Sequence, residues 1–294
     1  MPDVQCGTLV HPPPFYSALL GNTRQLVVYL PPGYHADEDR RYPVLYMQDG
    51  QNLFDGRTSF VPGQHWHLNE TADNLIREGA IEPLIIVGIY HAGEGRIDEY
   101  TPTADPNFKV GGHAALYGRM LVEELKAYID GAYRTRPERE YTGIGGSSLG
   151  GLVSLYLGLG QHDGVFGRVI AMSPSLWWGR CWLLRKLDEL MREPKAVQIW
   201  IDAGTMEGAN TACNAEALRD ALTARGLAPD EAVKFMRAAG ARHCEQDWAH
   251  RVHHGLRFTF TACDKDGSSS PRTISPQEAP YSRLLKQVPA VDGL

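Results

Sequence analysis

Residues 146–151 read Gly-Ser-Ser-Leu-Gly-Gly and contain the pattern G-x-S-x-G around Ser148. A strand-like run, 141–144, precedes this stretch, and an apolar helix-like run, 149–159, follows it. A serine between a strand and a helix is typical of a nucleophile elbow, a strained turn that exposes the hydroxyl at the carboxyl end of a central sheet. Flanking glycines leave room for neighbouring backbone that a Cβ would strike. The stretch therefore predicts Ser148 as a nucleophile in an α/β fold.

Two further serines lie close to this position. Ser147 occupies the x position of the pattern, and Ser154 falls in the helix that follows. We interpret both as local hydrogen-bonding residues. The N-terminus of a helix can stabilise negative charge that develops during a reaction. The backbone N–H of Leu149, directly after Ser148, is therefore the first predicted donor of an oxyanion hole.

Composition narrows the class of protein. The chain has 294 residues, 43% of them hydrophobic, which allows a sizeable core in one domain. The net charge of −6 argues against nucleic acid and anionic membrane surfaces as partners. There is no apolar run of membrane-spanning length and no basic region followed by an apolar stretch at the N-terminus. The five cysteines are scattered and form no C-x-x-C pair, which fits reduced thiols. We expect a cytoplasmic protein.

Strand-like and helix-like segments alternate along most of the chain. Strand-like apolar runs occur at 24–30, 44–47, 84–90, 169–172, 197–201 and 233–236. Helical patterns occur at 68–78, 116–133, 149–159, 182–191, 215–225 and 245–256. This alternation predicts a mostly parallel central sheet with helices on both faces. We predict a single domain over 1–263 and a loosely packed Ser/Pro-rich tail over 264–294.

A serine nucleophile needs a base, and the base needs an orienting acid. In α/β-hydrolases these residues follow the serine in the order acid, then histidine. His243 lies between the last strand-like run and the final helix, where a general base is required. Two carboxylates compete for the acid: Asp202 at a predicted strand end, and Glu207 in the loop beyond it. We favour Glu207, because its longer side chain can reach the histidine from the loop. Asp202 would then cap the loop backbone.

The remaining site residues are predicted from their places in loops. A second oxyanion donor is expected in the loop 49–52, and Gln51 is the candidate, with Gly50 permitting the turn. Trp177 and Trp178 follow a central strand and are predicted to line the substrate pocket, although core packing is an equal alternative. Arg96 is a candidate for contact with an anionic or catechol-bearing substrate; the alternative is a loop-holding pair with Glu99 or Asp98.

No metal or other cofactor is expected. His65 and His67 form an H-x-H pair, but no third ligand of the usual spacing accompanies them. We interpret this pair as part of a solvated loop. The predicted partner is a small-molecule ester, and the oligomeric state is left open.

Several motifs together carry a family resemblance. They occur in the order PVLYMQDGQNLF, IDEYTP, GGSSLGG, SPSLWW, DAGTMEG and HCEQDW. This set resembles the putative-esterase family of α/β-hydrolases, which includes esterase D-type, feruloyl, acetyl-xylan and ferric-siderophore trilactone esterases. The resemblance covers about residues 24–258 and is strongest to the ferri-bacillibactin esterase branch. It implies an α/β-hydrolase fold and a triad of Ser148, Glu207 and His243. The loop that begins Asp49-Gly50 departs from relatives in which it begins His-Gly.

The function expected from these observations is hydrolysis of a carboxylic ester through an acyl-enzyme on Ser148. A siderophore-type or carbohydrate-acyl ester is the expected substrate class. Acyl transfer to an alcohol, as in mycolyltransferases, is one alternative, because both reactions share the acyl-enzyme. A non-catalytic ligand-binding relative of the α/β-hydrolases is another.

Overall fold

Ten strands occur in the part of the chain that the structure describes. The structure is a computed structural model, and it describes residues 6–162, 164–191, 197–208 and 210–262. The strands are β1 Thr8–Val10, β2 Phe15–Ser17, β3 Asn22–Arg24, β4 Leu26–Leu30, β5 Val44–Gln48, β6 Ile85–Ile89, β7 Thr142–Ser147, β8 Arg168–Met172, β9 Gln198–Gly204 and β10 Val233–Ala238.

The helices alternate with these strands. They are α1 Leu68–Arg77, α2 Arg96–Tyr100, α3 Ala114–Arg119, α4 Lys126–Ala132, α5 Leu149–Tyr156, α6 Trp178–Arg185, α7 Leu187–Leu190, α8 Thr211–Ala224 and α9 Glu245–Thr259. A π-helical segment, Met120–Leu125, joins α3 to α4, and another, Leu157–Gln161, extends α5. The backbone of residues 179–181 is left-handed and interrupts α6, so its regular part begins near the predicted start at 182.

Eight strands form one sheet in the order β1-β4-β6-β5-β7-β8-β9-β10. The strands from β6 to β10 in this order are parallel, whereas β4 is antiparallel to both of its neighbours, β1 and β6. Parallel strands place their carboxyl ends along one edge of the sheet, where ligands bind in open α/β folds. Strand β7, which ends directly before Ser148, lies in the middle of the sheet, so its carboxyl end is flanked by the ends of β5 and β8.

Both faces of the sheet are buried, as the continuous apolar strands predict. Along β4, Leu26, Val28 and Leu30 belong to one core cluster, and Val27 and Tyr29 belong to the other. The first cluster includes residues of α3, α5 and α8, and the second includes residues of α1 and α9. This alternation follows from the two-residue repeat of a strand, which sends successive side chains to opposite faces.

The predicted α/β class and mostly parallel sheet are confirmed. The strands β1 to β3 and the helix α2 were not predicted, because each is five residues or shorter and carries little apolar periodicity. Strand β9 runs to Gly204 rather than ending at 201, so Asp202 lies inside the strand and not at its end. The predicted tail, 264–294, lies outside the described residues, and the domain assignment stays a prediction. Within the described ranges, no helix has the length and apolar character needed to cross a membrane.

Candidate active site

Ser148 occupies the turn between β7 and α5. Strand β7 ends at Ser147 and α5 begins at Leu149, so a single residue makes the reversal. The backbone of Ser148 has φ 57° and ψ −121°, a conformation that non-glycine residues rarely adopt. A Cβ on Gly146 would lie 2.9 Å from Cβ of Gln48 and 3.0 Å from the carbonyl carbon of Gly150. The glycines therefore allow the close approach that a nucleophile elbow requires.

The three serines of this region differ in exposure. Ser148 is partly exposed, whereas Ser147 and Ser154 are buried. The Ser154 hydroxyl donates to the carbonyl oxygen of Gly150 at 2.7 Å, a bond within its own helix. Of the three, Ser148 is the one whose side chain a substrate can reach.

The carboxylate of Glu207 and the imidazole of His243 are paired. Nδ1 of His243 lies 3.1 Å from Oε2 of Glu207. The Glu207 side chain is fully buried, while the His243 side chain is 39% exposed. The imidazole packs edge-to-face with the ring of Trp248, with the ring centroids 4.9 Å apart and the ring planes at 80°. In this pair the Glu207 carboxylate is therefore shielded from solvent, while the His243 ring is accessible to it.

The other oxygen of Glu207 is held by three donors. Oε1 accepts hydrogen bonds from the Ser173 hydroxyl at 2.7 Å, the Gly204 N–H at 2.8 Å and Nη2 of Arg251 at 2.9 Å. Burial opposes ionisation, but the contacts with His243, Ser173, Gly204 and Arg251 outweigh it, and the pKa of Glu207 is lowered. Glu207 is therefore held as an anion, as an acid that orients a histidine must be.

Asp202 does not meet His243 in the structure. Its Oδ1 accepts from Nε of Arg251 at 2.9 Å and from the Ser173 N–H at 3.3 Å, and its Oδ2 accepts from Nε1 of Trp200 at 3.0 Å. Burial raises its pKa, although Arg251 and Trp200 counter the effect. Asp202 thus accepts from a loop backbone N–H, as a capping residue does, but it is also a fully buried ion-pair partner of Arg251 within β9.

The Ser148 hydroxyl has its hydrogen-bond partner on the loop after β8. Oγ of Ser148 lies 3.2 Å from Oγ of Ser175, and the Ser175 N–H donates to the carbonyl oxygen of Ser148 at 3.0 Å. Among the described residues, no hydrogen bond joins Ser148 to His243. Catalytic hydrogen bonds are often long in unliganded enzymes and tighten when substrate binds.

Sequence reasoning missed four residues around the site: Ser173, Ser175, Trp248 and Arg251. Ser173 accepts from Nε1 of Trp248 at 2.9 Å and from Nη2 of Arg251, and it donates to Glu207. Ser175 contacts the hydroxyl of Ser148. The motif SPSLWW contains both serines, but the pattern does not show that Ser173 faces Glu207 and Ser175 faces Ser148.

The loop after β5 contains the predicted second oxyanion donor. Asp49 has φ 56° and ψ 48°, and a short three-ten turn, Gly50–Asn52, follows it. Asp49 is therefore the left-handed residue of this turn. A Cβ on Gly50 would lie 2.4 Å from the carbonyl carbon of Gly88, so the turn needs a glycine at this position. Gln51 is buried, and its Oε1 accepts from the N–H of His91 at 3.4 Å.

Arg96 is paired with this same loop. Its Nε lies 2.7 Å from Oδ1 of Asp49, and its Nη2 lies 2.8 Å from Oδ2. Such a bidentate pair fixes both side chains. The loop-holding alternative is thus favoured, but the predicted partners are wrong: Glu99 pairs with Arg24 at 2.9 Å, and Asp98 accepts from the Gly111 N–H.

The two predicted pocket tryptophans, Trp177 and Trp178, differ in their exposure to solvent. Trp178 is buried and donates from Nε1 to the Thr103 carbonyl at 2.7 Å, so core packing describes it and its predicted place in the pocket lining is wrong. Trp177 is 46% exposed, and Phe108, 60% exposed, lies beside it with ring centroids 6.4 Å apart. Phe108 also stacks on Trp178, with centroids 5.9 Å apart and ring planes 10° from parallel. Trp177 and Phe108 form an aromatic rim, and Trp177 lies two residues along the chain from Ser175.

No group of three or more His, Cys, Asp or Glu side chains placed to hold a metal ion occurs in the described ranges. The rings of His65 and His67 lie 3.8 Å apart, and Nδ1 of His67 pairs with Glu70 at 2.9 Å. The His67 side chain is 52% exposed, as expected for a solvated loop, but His65 is only partly exposed and Trp66 between them is buried in the core.

Comparisons with known proteins identify the family. A family model described as "Putative esterase" matches residues 17–259. The uncharacterized protein YbbA of Bacillus subtilis is 26% identical over 190 residues, which are 63% of this chain and 69% of YbbA. The endo-1,4-beta-xylanase/feruloyl esterase of Xylanibacter ruminicola is 29% identical over 66% of this chain and 24% of its own length. Ferri-bacillibactin esterase BesA of Bacillus subtilis is 31% identical over 56% of this chain and 60% of its own length. The chain thus spans less than two thirds of the last two relatives.

Solved structures establish the fold. The BES protein from Bacillus cereus has a TM-score of 0.69 at 23% identity, over 86% of this chain and 94% of that chain. The enterobactin esterase FES from Shigella flexneri has a TM-score of 0.65 at 20% identity, over 86% of this chain and 58% of that chain. The predicted α/β-hydrolase fold is confirmed. Since the family model spans most of the chain, and named esterases are among its relatives, the chain belongs to the putative-esterase family of carboxylic ester hydrolases.

Proposed function

We propose that this protein hydrolyses carboxylic esters through an acyl-enzyme on Ser148, with His243 as general base and Glu207 as the acid that orients it. The observation that carries the proposal is the 3.1 Å contact between Glu207 and Nδ1 of His243. A proton held at Nδ1 leaves Nε2 free to take the proton of a nucleophile. The strained, accessible position of Ser148 on the same edge of the sheet supports its role as that nucleophile.

The chemistry follows from these roles. Oγ of Ser148 bonds to the ester carbonyl carbon, and its proton passes to Nε2 of His243. The N–H groups of Leu149 and Gln51 stabilise the oxyanion. The carbon–oxygen bond to the alcohol breaks, and His243 protonates that oxygen. Water then attacks the acyl carbon and gives a proton to His243. The bond between that carbon and Oγ of Ser148 breaks, His243 returns the proton to Oγ, and the carboxylic acid leaves.

This cycle requires the Ser148 hydroxyl to exchange partners. In the structure it contacts Ser175, and during catalysis it must donate to His243. We propose that substrate bound at the elbow draws Ser148 and His243 together. Catalytic hydrogen bonds commonly shorten when substrate binds.

The test is a series of p-nitrophenyl esters of increasing acyl length, assayed with wild type and Ser148→Ala. We expect wild type to show a burst and a mass increase that matches the acyl group, and Ser148→Ala to show neither. Unchanged turnover in Ser148→Ala would reject the nucleophile. An ester formed at the expense of acid on adding an alcohol acceptor would favour acyl transfer. No turnover and no acylation in wild type would favour the non-catalytic alternative.

The proposed substrate is an ester whose acyl portion carries an aromatic ring, of the siderophore or feruloyl-carbohydrate type. The exposed rim of Trp177 and Phe108 supports it, because flat rings stack on such surfaces. Two relatives, the ferri-bacillibactin esterase and the endo-1,4-beta-xylanase/feruloyl esterase, support the same class by what they act on. Comparing kcat/KM for a siderophore trilactone, feruloyl and acetyl sugar esters tests it. A preference for acetyl esters would contradict it.

A further inference from the structure

We propose that Glu245 is a positioning residue that ties the histidine side of the active site to the loop with the second oxyanion donor. Oε1 of Glu245 accepts a hydrogen bond from Nδ2 of Asn52 at 3.3 Å. Glu245 is the first residue of α9 and lies two positions after His243. Asn52 directly follows Gln51 in the three-ten turn. This inference rests on the proposed function, since Gln51 and His243 are given their roles there.

The Asn52 side chain has a fixed orientation. Its Oδ1 accepts from the N–H of Phe60 at 2.9 Å and from the hydroxyl of Ser59 at 3.3 Å. The amide nitrogen must therefore face Glu245 as a donor. Both Asn52 and Glu245 are only 8% exposed, so water does not readily replace a lost partner. An acceptor at position 245 is thus part of how the loop is held.

A second anchor holds the other end of the same loop. Asp49, two residues before Gln51, forms the bidentate pair with Arg96. The Gln51 backbone therefore lies between one residue tied to α2 and one tied to the start of α9. An oxyanion donor is effective only if it is held in place before the reaction. Releasing either anchor frees the donor to move.

The charges that face Glu245 come from three segments. Burial raises the pKa of Glu245, and the Asp49 charge adds to this effect, while His243 and Arg96 oppose it. Asp49 lies on the loop, Arg96 on α2 and His243 just before α9. A substitution at 245 must therefore be designed to separate the loss of the hydrogen bond from the loss of charge.

The experiment reverses the polarity of the hydrogen bond. Asn52→Asp keeps the acceptor for Phe60 and Ser59 but sets a second carboxylate against Glu245. Glu245→Gln alone keeps an acceptor for Asn52. Together, Asn52→Asp and Glu245→Gln restore a donor–acceptor pair, in which the amide introduced at position 245 donates to the carboxylate introduced at position 52. Glu78→Ala is the control, because Glu78 pairs at 2.6 Å with Arg257 near the other end of α9.

With one p-nitrophenyl ester, we expect Asn52→Asp to lower kcat by about tenfold or more, with KM within about twofold of wild type. The Glu245→Gln variant and the double variant should both stay within about threefold of wild type in kcat. Far-UV circular dichroism and melting temperature establish that each variant is folded. Glu78→Ala should leave kcat unchanged.

Two results would overturn the inference: a double variant as slow as Asn52→Asp, or Asn52→Asp as fast as wild type. Ser148→Ala, assayed beside them, separates this failure from failure of the proposed function. If Ser148→Ala loses turnover and the double variant Asn52→Asp/Glu245→Gln is as slow as Asn52→Asp, only the positioning role of Glu245 is rejected. Retained turnover in Ser148→Ala rejects the nucleophile on which the inference rests.

Discussion

Nη2 of Arg251 lies 2.9 Å from Oε1 of Glu207, while His243 contacts the other oxygen of the same carboxylate. The same guanidinium reaches Asp202, with its Nε 2.9 Å from Oδ1. One buried cation therefore stands between two buried carboxylates. Because unpaired buried charges are costly, Arg251 makes an ionised Glu207 compatible with burial. The buried charge of Glu207, the proposed acid, thus depends on a residue of α9 that lies outside the predicted triad.

Glu207→Gln and Asp202→Asn should have different effects. In Glu207→Gln the amide nitrogen must face either His243 or the three donors at Oε1, so we expect kcat to fall by a factor on the order of 10³ to 10⁴. In Asp202→Asn the amide nitrogen must face Trp200 or Arg251, and the free energy of unfolding should fall by about 3 kcal/mol. Steady-state kinetics and urea unfolding measure the two effects. The reverse ranking in kcat, with both variants folded, would assign the acid to Asp202.

The proposed role of His243 as general base is tested by substituting it and, as a control, His250 on α9. His243→Ala should lower kcat by several orders of magnitude, because it removes the proton acceptor. His250→Ala, an exposed position on α9, should keep wild-type turnover. Both are assayed with the ester used for Ser148→Ala. If His243→Ala kept turnover and His250→Ala lost it, the base would be His250.

The lowered pKa of Glu207 predicts a pH dependence of stability. A carboxyl with a folded-state pKa below its ordinary value of 4.5 stabilises the fold fully above pH 4.5, and this contribution is lost as the pH falls through the folded-state pKa. The melting temperature of wild type should therefore exceed that of Glu207→Gln most at neutral pH, and the difference should shrink below pH 4.5. A difference that grows on acidification would mean that the pKa is raised instead.

The Asp49–Arg96 pair is expected to act through the loop. Asp49→Ala and Arg96→Ala should each lower kcat by about tenfold, and the double variant should lose little more, because each removes the same bidentate contact. KM for neutral esters should change little. If Arg96→Ala alone raised KM, and only for anionic esters, Arg96 would contact the substrate directly.

Substitutions at the neighbouring Trp177 and Trp178 should have different effects, the first on substrate binding and the second on the stability of the fold. Trp177→Ala removes one of the two rings of the exposed rim, so KM should rise more for feruloyl than for acetyl esters, with the melting temperature little changed. Trp178→Ala opens a cavity and leaves the Thr103 carbonyl without its donor, so the free energy of unfolding should fall by about 3 to 5 kcal/mol. Equal KM changes for both esters in Trp177→Ala would remove the rim from the substrate site.

The sequence alone determined the fold class, the position of the elbow and the family, because each depends on local patterns. Apolar periodicity distinguishes strands from helices, and a strained turn between them needs small residues at fixed spacing, as around Ser148. The same locality limits what a sequence reveals. It placed Asp202 and Glu207 in one short segment without showing which would face His243.

The tertiary structure decided which residues surround Glu207 and the loop 49–52. The Glu207–His243 contact spans 36 positions, Ser173–Glu207 spans 34 and Arg251–Ser173 spans 78. These residues meet because parallel strands bring their carboxyl ends to one edge of the sheet, while α9 packs across β8 and β9. Which donor then faces which oxygen depends on packing and burial, since a buried polar group must find a partner in the folded chain. No spacing along the sequence carries that information.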